Sequence, residues 1–140
     1  MPEETNSPAE FQLSDFLFLN AKFNFDTPDK TKYHVSVNPT GNLVLKEKQF
    51  YLDIYFSIIY VEDKEPSIEC TVRGIFSFNK ISSIEEIPEY FYANSVAILY
   101  PYIRSFVSTL TSSSNNGHIL LPTLNLSSMG KVLKENTLER

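Results

Sequence analysis

The chain holds one cysteine, two histidines, two methionines and four glycines among 140 residues. Each shortage removes a class of function. A lone cysteine, Cys70, makes no internal disulfide and cannot assemble a zinc site of the common kind. His34 and His118 stand far apart, without the spacing of a metal pair, and read as solvated side chains. No glycines form G-x-G-x-x-G or G-x-x-x-x-G-K, so a phosphate cradle is absent at motif level. Positive charge is short too: 12 Lys and Arg against 17 Asp and Glu leave a formal charge of −5. That excludes the basic footprint of a nucleic-acid or anionic-membrane binder. The longest apolar run, near Tyr51 to Val61, contains Asp53 and Ser57 and falls short of the ~20 residues a bilayer span requires, so no membrane insertion is expected. The acidic start "MPEETNSPAE" lacks the positive and apolar regions of a signal peptide, so a cytoplasmic protein is expected.

What is present points to one folded domain. Hydrophobic residues make up 42% of the chain and aromatics 14%, too many for a disordered chain. We expect a disordered tail over 1–10 and a single domain over 11–140. From Phe11 to Phe25 the odd positions are mostly apolar and the even ones include Gln12, Ser14, Asn20, Lys22 and Asn24, the period of a long half-buried strand. Phe16 and Phe18 break its polar face. "KYHVSVNPTGNLVL" reads as a hairpin-like pair around Asn38 to Gly41, because proline and glycine favour turns. "FYLDIYFSIIYV" and "SIECTVRGIFSF", separated by "EDKEP", read as two further strands. Cys70, alternating there with Ile68 and Val72, reads as an inert buried thiol.

After Phe78 the period changes. Ser83 with Glu86 offers a capping box, and Glu85, Glu86 and Glu89 suit the positive end of a helix better than a carboxylate active site. Val96, Leu99, Tyr100, Ile103, Phe106, Val107 and Leu110 keep helical spacing up to the serine run, which should end the helix. Pro101 inside that pattern predicts a kink or a fresh start. A shorter helix is expected over Ser127 to Leu138, weakened by Gly130. Consecutive Tyr90, Phe91 and Tyr92 read as packing rather than a ligand cage. The expected class is therefore α+β: a four-stranded antiparallel sheet, then a long helix and a short C-terminal helix packed on one face. No catalytic constellation, metal site or cofactor site emerges, so an enzyme is not expected.

Three segments recur in a recognisable order after the first strand: "RGIFSF" at Arg73 to Phe78, "ILYPYIRSFVSTL" at Ile98 to Leu110, and "LPTLNL" at Leu121 to Leu126. Through Gly74-Ile75-Phe76, Pro101-Tyr102 with Arg104, and Leu124-Asn125-Leu126, the chain resembles the SecB family of protein-export chaperones and their SecB-like relatives over roughly Phe11 to Met129. The resemblance implies an ATP-independent holdase without cofactor, paired through the first strand and long helix into a homodimer or a homotetramer built as a dimer of dimers. It implies unfolded polypeptide clients held in hydrophobic grooves formed by "DTPDKTKYHV" and "LPTLNLSSMGKVL". Groove residues would be Phe23, Phe25, Tyr33, Val35, Leu124, Leu126, Met129 and Leu133, with core closure an even alternative for Leu121 and Leu124.

The family's SecA partner docks on exposed sheet acids. At the matching positions stand Asn20 and Asn24, with only Glu69 acidic and Asp15 and Asp26 out of register. Amides attract no basic partner by charge, which puts SecA docking in doubt. A SecB-like chaperone dedicated to a toxin–antitoxin system, partnered by an antitoxin, is the alternative within the family. A protein-interaction adaptor without chaperone activity is the alternative outside it.

Overall fold

Two β-bulges explain the irregular alternation of the first strand, β1 (Phe11–Phe23), in the computed structural model, which describes residues 10–25, 32–115 and 117–140. Asp26, residues 1–9 of the expected tail at 1–10 and the first part of the expected crossover lie outside those residues. β1 pairs antiparallel with β4 (Ile68–Phe78), and the register slips by one between Leu13 and Asp15 and again between Phe18 and Asn20. Each bulge turns the following side chains to the other face. Phe16 and Phe18 therefore do not break a polar face. They lie opposite Gly74 and Val72, on the same face as Leu13 opposite Phe76. Leu17 turns outward instead, 44% exposed, and Leu19 is left unpaired in the second bulge at 42%.

The hairpin expected at Asn38 to Gly41 is absent. One uninterrupted strand, β2 (Tyr33–Val44), runs through "NPTG" and pairs along its length with β3 (Gln49–Tyr60). Lys32 accepts from the Val61 N–H on the β3 side, whereas the Gly41 N–H points away from β3 to the Asn136 carbonyl. By alternation, odd residues of β2 turn their main-chain groups outward. Pro39 is thus a position where β3 asks for no N–H, as proline in a strand requires. Turn preference is local, and edge pairing overrides it.

The described sheet has five strands rather than four, ordered β1-β4-β3-β2-β5, because Thr137–Glu139 (β5) pairs parallel with Gly41–Leu43. The connection from β1 to β2 must therefore cross β4 and β3. Helix α1 (Glu89–Ser114) covers one face, followed by the short α2 (Met129–Glu135), which packs against α1 and β2. Phe91 anchors the start of α1, its ring 4.7 Å from Phe11, 4.8 Å from Phe50 and 5.1 Å from Phe78. Further along, Tyr102 meets Phe16 at 4.0 Å and Phe106 meets Phe18 at 4.4 Å. The bulges of β1 are what turn those two phenylalanines toward the helix.

Helix boundaries shift for identifiable reasons. Ser83 caps no helix; Ile84–Glu86 forms a single 3-10 turn, Glu86 accepts the Ser82 N–H, and Pro88 precedes the first residue of α1. Proline is favoured at helix starts and disfavoured deeper in, so the helix begins at the later signal. Pro101 starts no new helix: α1 runs through it, and Pro101 and Ala97, whose carbonyl loses its partner, are both exposed. The serine run does not stop α1 at Leu110 either. Thr111 Oγ1 donates to the Val107 carbonyl at 2.8 Å and Ser114 Oγ to the Thr111 carbonyl at 3.1 Å, and Asn115 ends the helix with φ 59°. α2 is shorter than Ser127 to Leu138, because its expected last turn leaves to form β5.

Candidate functional site

A stripe of four polar side chains on α1, spaced about one turn apart, holds the segment that follows the helix. Thr111 Oγ1 accepts the Ile119 N–H at 2.9 Å, and Ser108 Oγ lies 2.6 Å from His118 Nε2. Arg104 Nε donates to the Leu121 carbonyl at 3.0 Å, and Tyr100 OH donates to the Pro122 carbonyl at 3.1 Å. Residues 118–122 thus run back along α1, satisfied by side chains where no strand or helix is available. This extended segment seats Leu121 fully in the core and leaves Leu120 exposed. Burial raises the Tyr100 phenol above its usual range, and nearby Arg104 opposes the rise.

The residues picked from sequence divide between half-buried or exposed positions and the core. Phe23, Ile68, Ile58 and Val35 are successive partners across β1, β4, β3 and β2 and form one row on the helix-bearing face. Ile68 and Ile58 in its middle are buried, while Phe23 at its end is 50% exposed and Val35 half-buried. Three strand spacings of about 4.8 Å separate Phe23 from Val35, so the row does not bring them into one pocket. Phe25 stays with Phe23, the rings stacked 5.7 Å apart. Tyr33 stays with Val35 and packs edge-on against Tyr60 at 5.9 Å. On the helix side, Leu124 and Met129 pack on the core half-buried, as do Tyr33, Val35 and Val37. Leu126 is only 9% exposed and Leu133 is fully enclosed. Those two form the support beneath α2 rather than its surface.

The opposite face of the sheet is open and polar. Asp53 receives two bonds from Arg73, from Nε at 2.7 Å and Nη2 at 2.9 Å, and the guanidinium lies 5.3 Å from the Tyr51 ring centroid. Tyr55 OH donates to Glu69 Oε1 at 2.7 Å, a bond that raises the Tyr55 pKa, and Lys22 is the cross-strand partner of Glu69. Asp15 accepts the Phe16 N–H. Asn20 sits opposite Thr71, and the Asn24 N–H donates to the Ser67 carbonyl. Every acid named on this face is therefore engaged with a neighbour.

Sequence reasoning missed the stripe at positions 100, 104, 108 and 111. Its spacing is visible in the sequence, but a polar helix stripe ordinarily faces water. Cys70 is fully buried, and burial pushes its thiol up to about 11. Among the described residues no three His, Cys, Asp or Glu side chains gather as metal ligands, and no helix is long and apolar enough to cross a membrane.

No family model matches the sequence. A stretch of 59 residues is 37% identical to an uncharacterised protein of Methanocaldococcus jannaschii, covering 39% of this chain and 38% of that relative's length. Among solved structures, a SecB-like chaperone of Mycobacterium tuberculosis, in complex with a ChAD peptide from the HigA1 antitoxin, matches with a TM-score of 0.66. That match covers 82% of this chain and 91% of the chaperone chain at 19% identity. A protein of unknown function from Streptococcus agalactiae gives a TM-score of 0.48, with 14% identity over 84% of this chain and 100% of its own. The chain has the SecB-like fold.

Proposed function

We propose that this protein is an ATP-independent holdase that binds unfolded polypeptides on apolar surface left open beside its helices. The observation that carries the reading is the half-buried set Tyr33, Val35, Leu124 and Met129, packed on the core without being enclosed, in a fold shared with a chaperone. Binding many sequences calls for apolar area, worth roughly 25 cal/mol per Å² buried, rather than a few directional bonds. Phe23 and Phe25 supply a second patch at the far edge, and separate weak patches on one client combine by avidity. Pairing of protomers through β1 and α1, into a dimer and then a tetramer in the cytoplasm, belongs to the same reading; it gives a use to the exposed Leu17, Leu19, Ile98 and Tyr102. A holdase delays aggregation of several unrelated unfolded proteins at stoichiometric concentration without nucleotide. Failure with all of them rejects the reading in favour of an adaptor that binds one folded partner.

Within it, service to a toxin–antitoxin system is favoured over export through SecA by one observation. Asn20 and Asn24 carry no charge, and Lys22 stands across the strands from Glu69, so the sheet offers a basic partner little attraction. The Mycobacterium tuberculosis chaperone of the same fold is bound to an antitoxin peptide, which supports the same choice.

A further inference from the structure

The strand that completes the sheet occupies only part of an edge. Outward-facing main-chain groups of β2 alternate along its odd residues. At the far end the Gly41 N–H reaches the Asn136 carbonyl at 3.1 Å, the Arg140 N–H reaches the Leu43 carbonyl at 2.7 Å, and the Leu45 N–H reaches the Arg140 carbonyl at 3.4 Å. β5 ends its pairing at Gly41. Beyond it, at Val37 and Val35, the same N–H and C=O groups face outward and no described main-chain group pairs with them. Their side chains, with Tyr33, point to the helix-bearing face and are half-buried, while His34 and Ser36 between them are exposed on the other.

An edge of this kind is a template for another strand. β5 is direct proof that it accepts one, and yet β5 is weakly held. It has three residues, and Leu138 at its centre is 68% exposed. Beyond its main-chain bonds it has two side-chain ones: Thr137 Oγ1 donates to the Leu133 carbonyl at 2.6 Å, and Glu139 accepts the Ile84 N–H at 3.2 Å.

We propose that β5 and an extended polypeptide compete for the edge of β2: a client segment adds as a strand at Tyr33–Val37, beside the apolar patch, and continues toward Leu43 by displacing β5. The proposal deepens the holdase reading and rests on it. Main-chain pairing suits a client of any sequence, because every unfolded chain carries the same N–H and C=O groups, whereas a folded partner has already used them. Alternate client side chains then meet Tyr33, Val35 and Val37. Pro39 marks the seam, since it offers a carbonyl but no N–H between the open portion and the portion under β5.

The test uses the full chain and a short labelled peptide that alternates threonine with leucine, tyrosine and valine. A second peptide has the same side chains but its backbone nitrogens methylated along both edges. Strand addition requires the methylated peptide to bind at least about tenfold more weakly, because its donors are gone while its apolar area is kept. Leu138→Pro removes the central donor of β5 without touching the core. If the edge is free in about one molecule in ten, this variant binds the unmethylated peptide about tenfold more tightly. Equal binding of the two peptides overturns the strand addition. A Leu138→Pro variant with wild-type melting and wild-type affinity overturns the competition. A wild-type protein that suppresses no aggregation and captures neither peptide rejects the holdase reading itself, which separates the two failures.

Discussion

Gly130 in α2 lies against Ala93 in α1 so closely that a Cβ at position 130 would stand 2.9 Å from the Ala93 nitrogen and 3.0 Å from its Cβ. Alanine is ordinarily the better helix former by about 1 kcal/mol. Here the contact is with backbone, which cannot move aside as a side chain could. Gly130→Ala should therefore destabilise, by about 1–3 kcal/mol, as overpacking does. A thermal melt checks the sign: a raised melting temperature would mean that propensity outweighs the clash.

Burial divides the proposed groove residues, and so should their substitutions. Leu133→Ala and Leu126→Ala should each cost about 2–5 kcal/mol of stability, with loss of client capture only as a consequence of unfolding. Leu124→Ser and Met129→Ser together should lower aggregation suppression while the melting temperature falls by much less. Melting and suppression measured on the same samples decide it, and a double variant with unchanged suppression removes those two residues from the site.

Arg104 should matter for the segment rather than for the helix. Arg104→Ala removes the charge-assisted bond to the Leu121 carbonyl, and losses of this kind run about 1–3 kcal/mol. The expected signature is local: cleavage by a nonspecific protease between 117 and 126 quickens more than the global melt shifts. Uniform protection of that segment in the variant would show that the bond does not hold it.

Cys70 gives a prediction with a definite pH window. Its thiol is raised from 9.0 to about 11 by burial, so the folded state keeps its proton where the unfolded chain loses it. As pH rises from 9 to 11 the folded form binds more protons than the unfolded one, and stability falls. Cys70→Ala should flatten that part of the stability curve in urea titrations. At pH 8 iodoacetamide should label Cys70 only at the rate of unfolding, and rapid labelling under native conditions would contradict its burial.

Charge restored on the open face should change an encounter rate. Asn20→Asp with Asn24→Asp should speed association of a basic protein with this face at low salt, with the gain shrinking as salt is added. Stopped-flow association at two ionic strengths checks it, and a gain that persists at high salt would point to something other than charge.

Much of this architecture is legible in the order of residues, because the change from period two before Phe78 to helical spacing after it reports a sheet followed by helices. The missing parts are those set by distant partners. Nothing local marks Ser14 and Leu19 as bulge residues; the count against β4 does. Pro39 and Gly41 carry turn chemistry, but a strand edge tolerates both. Three residues of β5 are too few to show a period. In the candidate site, the apolar character of Tyr33, Val35, Leu124 and Met129 is readable, whereas the enclosure of Leu133 and the distance between Phe23 and Val35 depend on which strands are neighbours.

The paired bulges of β1 also govern how its length can change over evolutionary time. Removing Ser14 or Leu19, the unpaired residue of each bulge, would erase that bulge and leave every cross-strand partner on both sides where it is. Removing Leu17 between them would leave the bulges in place and turn the neighbouring side chains to the wrong face, exposing a phenylalanine that now packs on α1. Single-residue gaps among relatives of this chain should accordingly gather at those two positions, and an alignment that forbids them would set outward residues of one protein against inward residues of another.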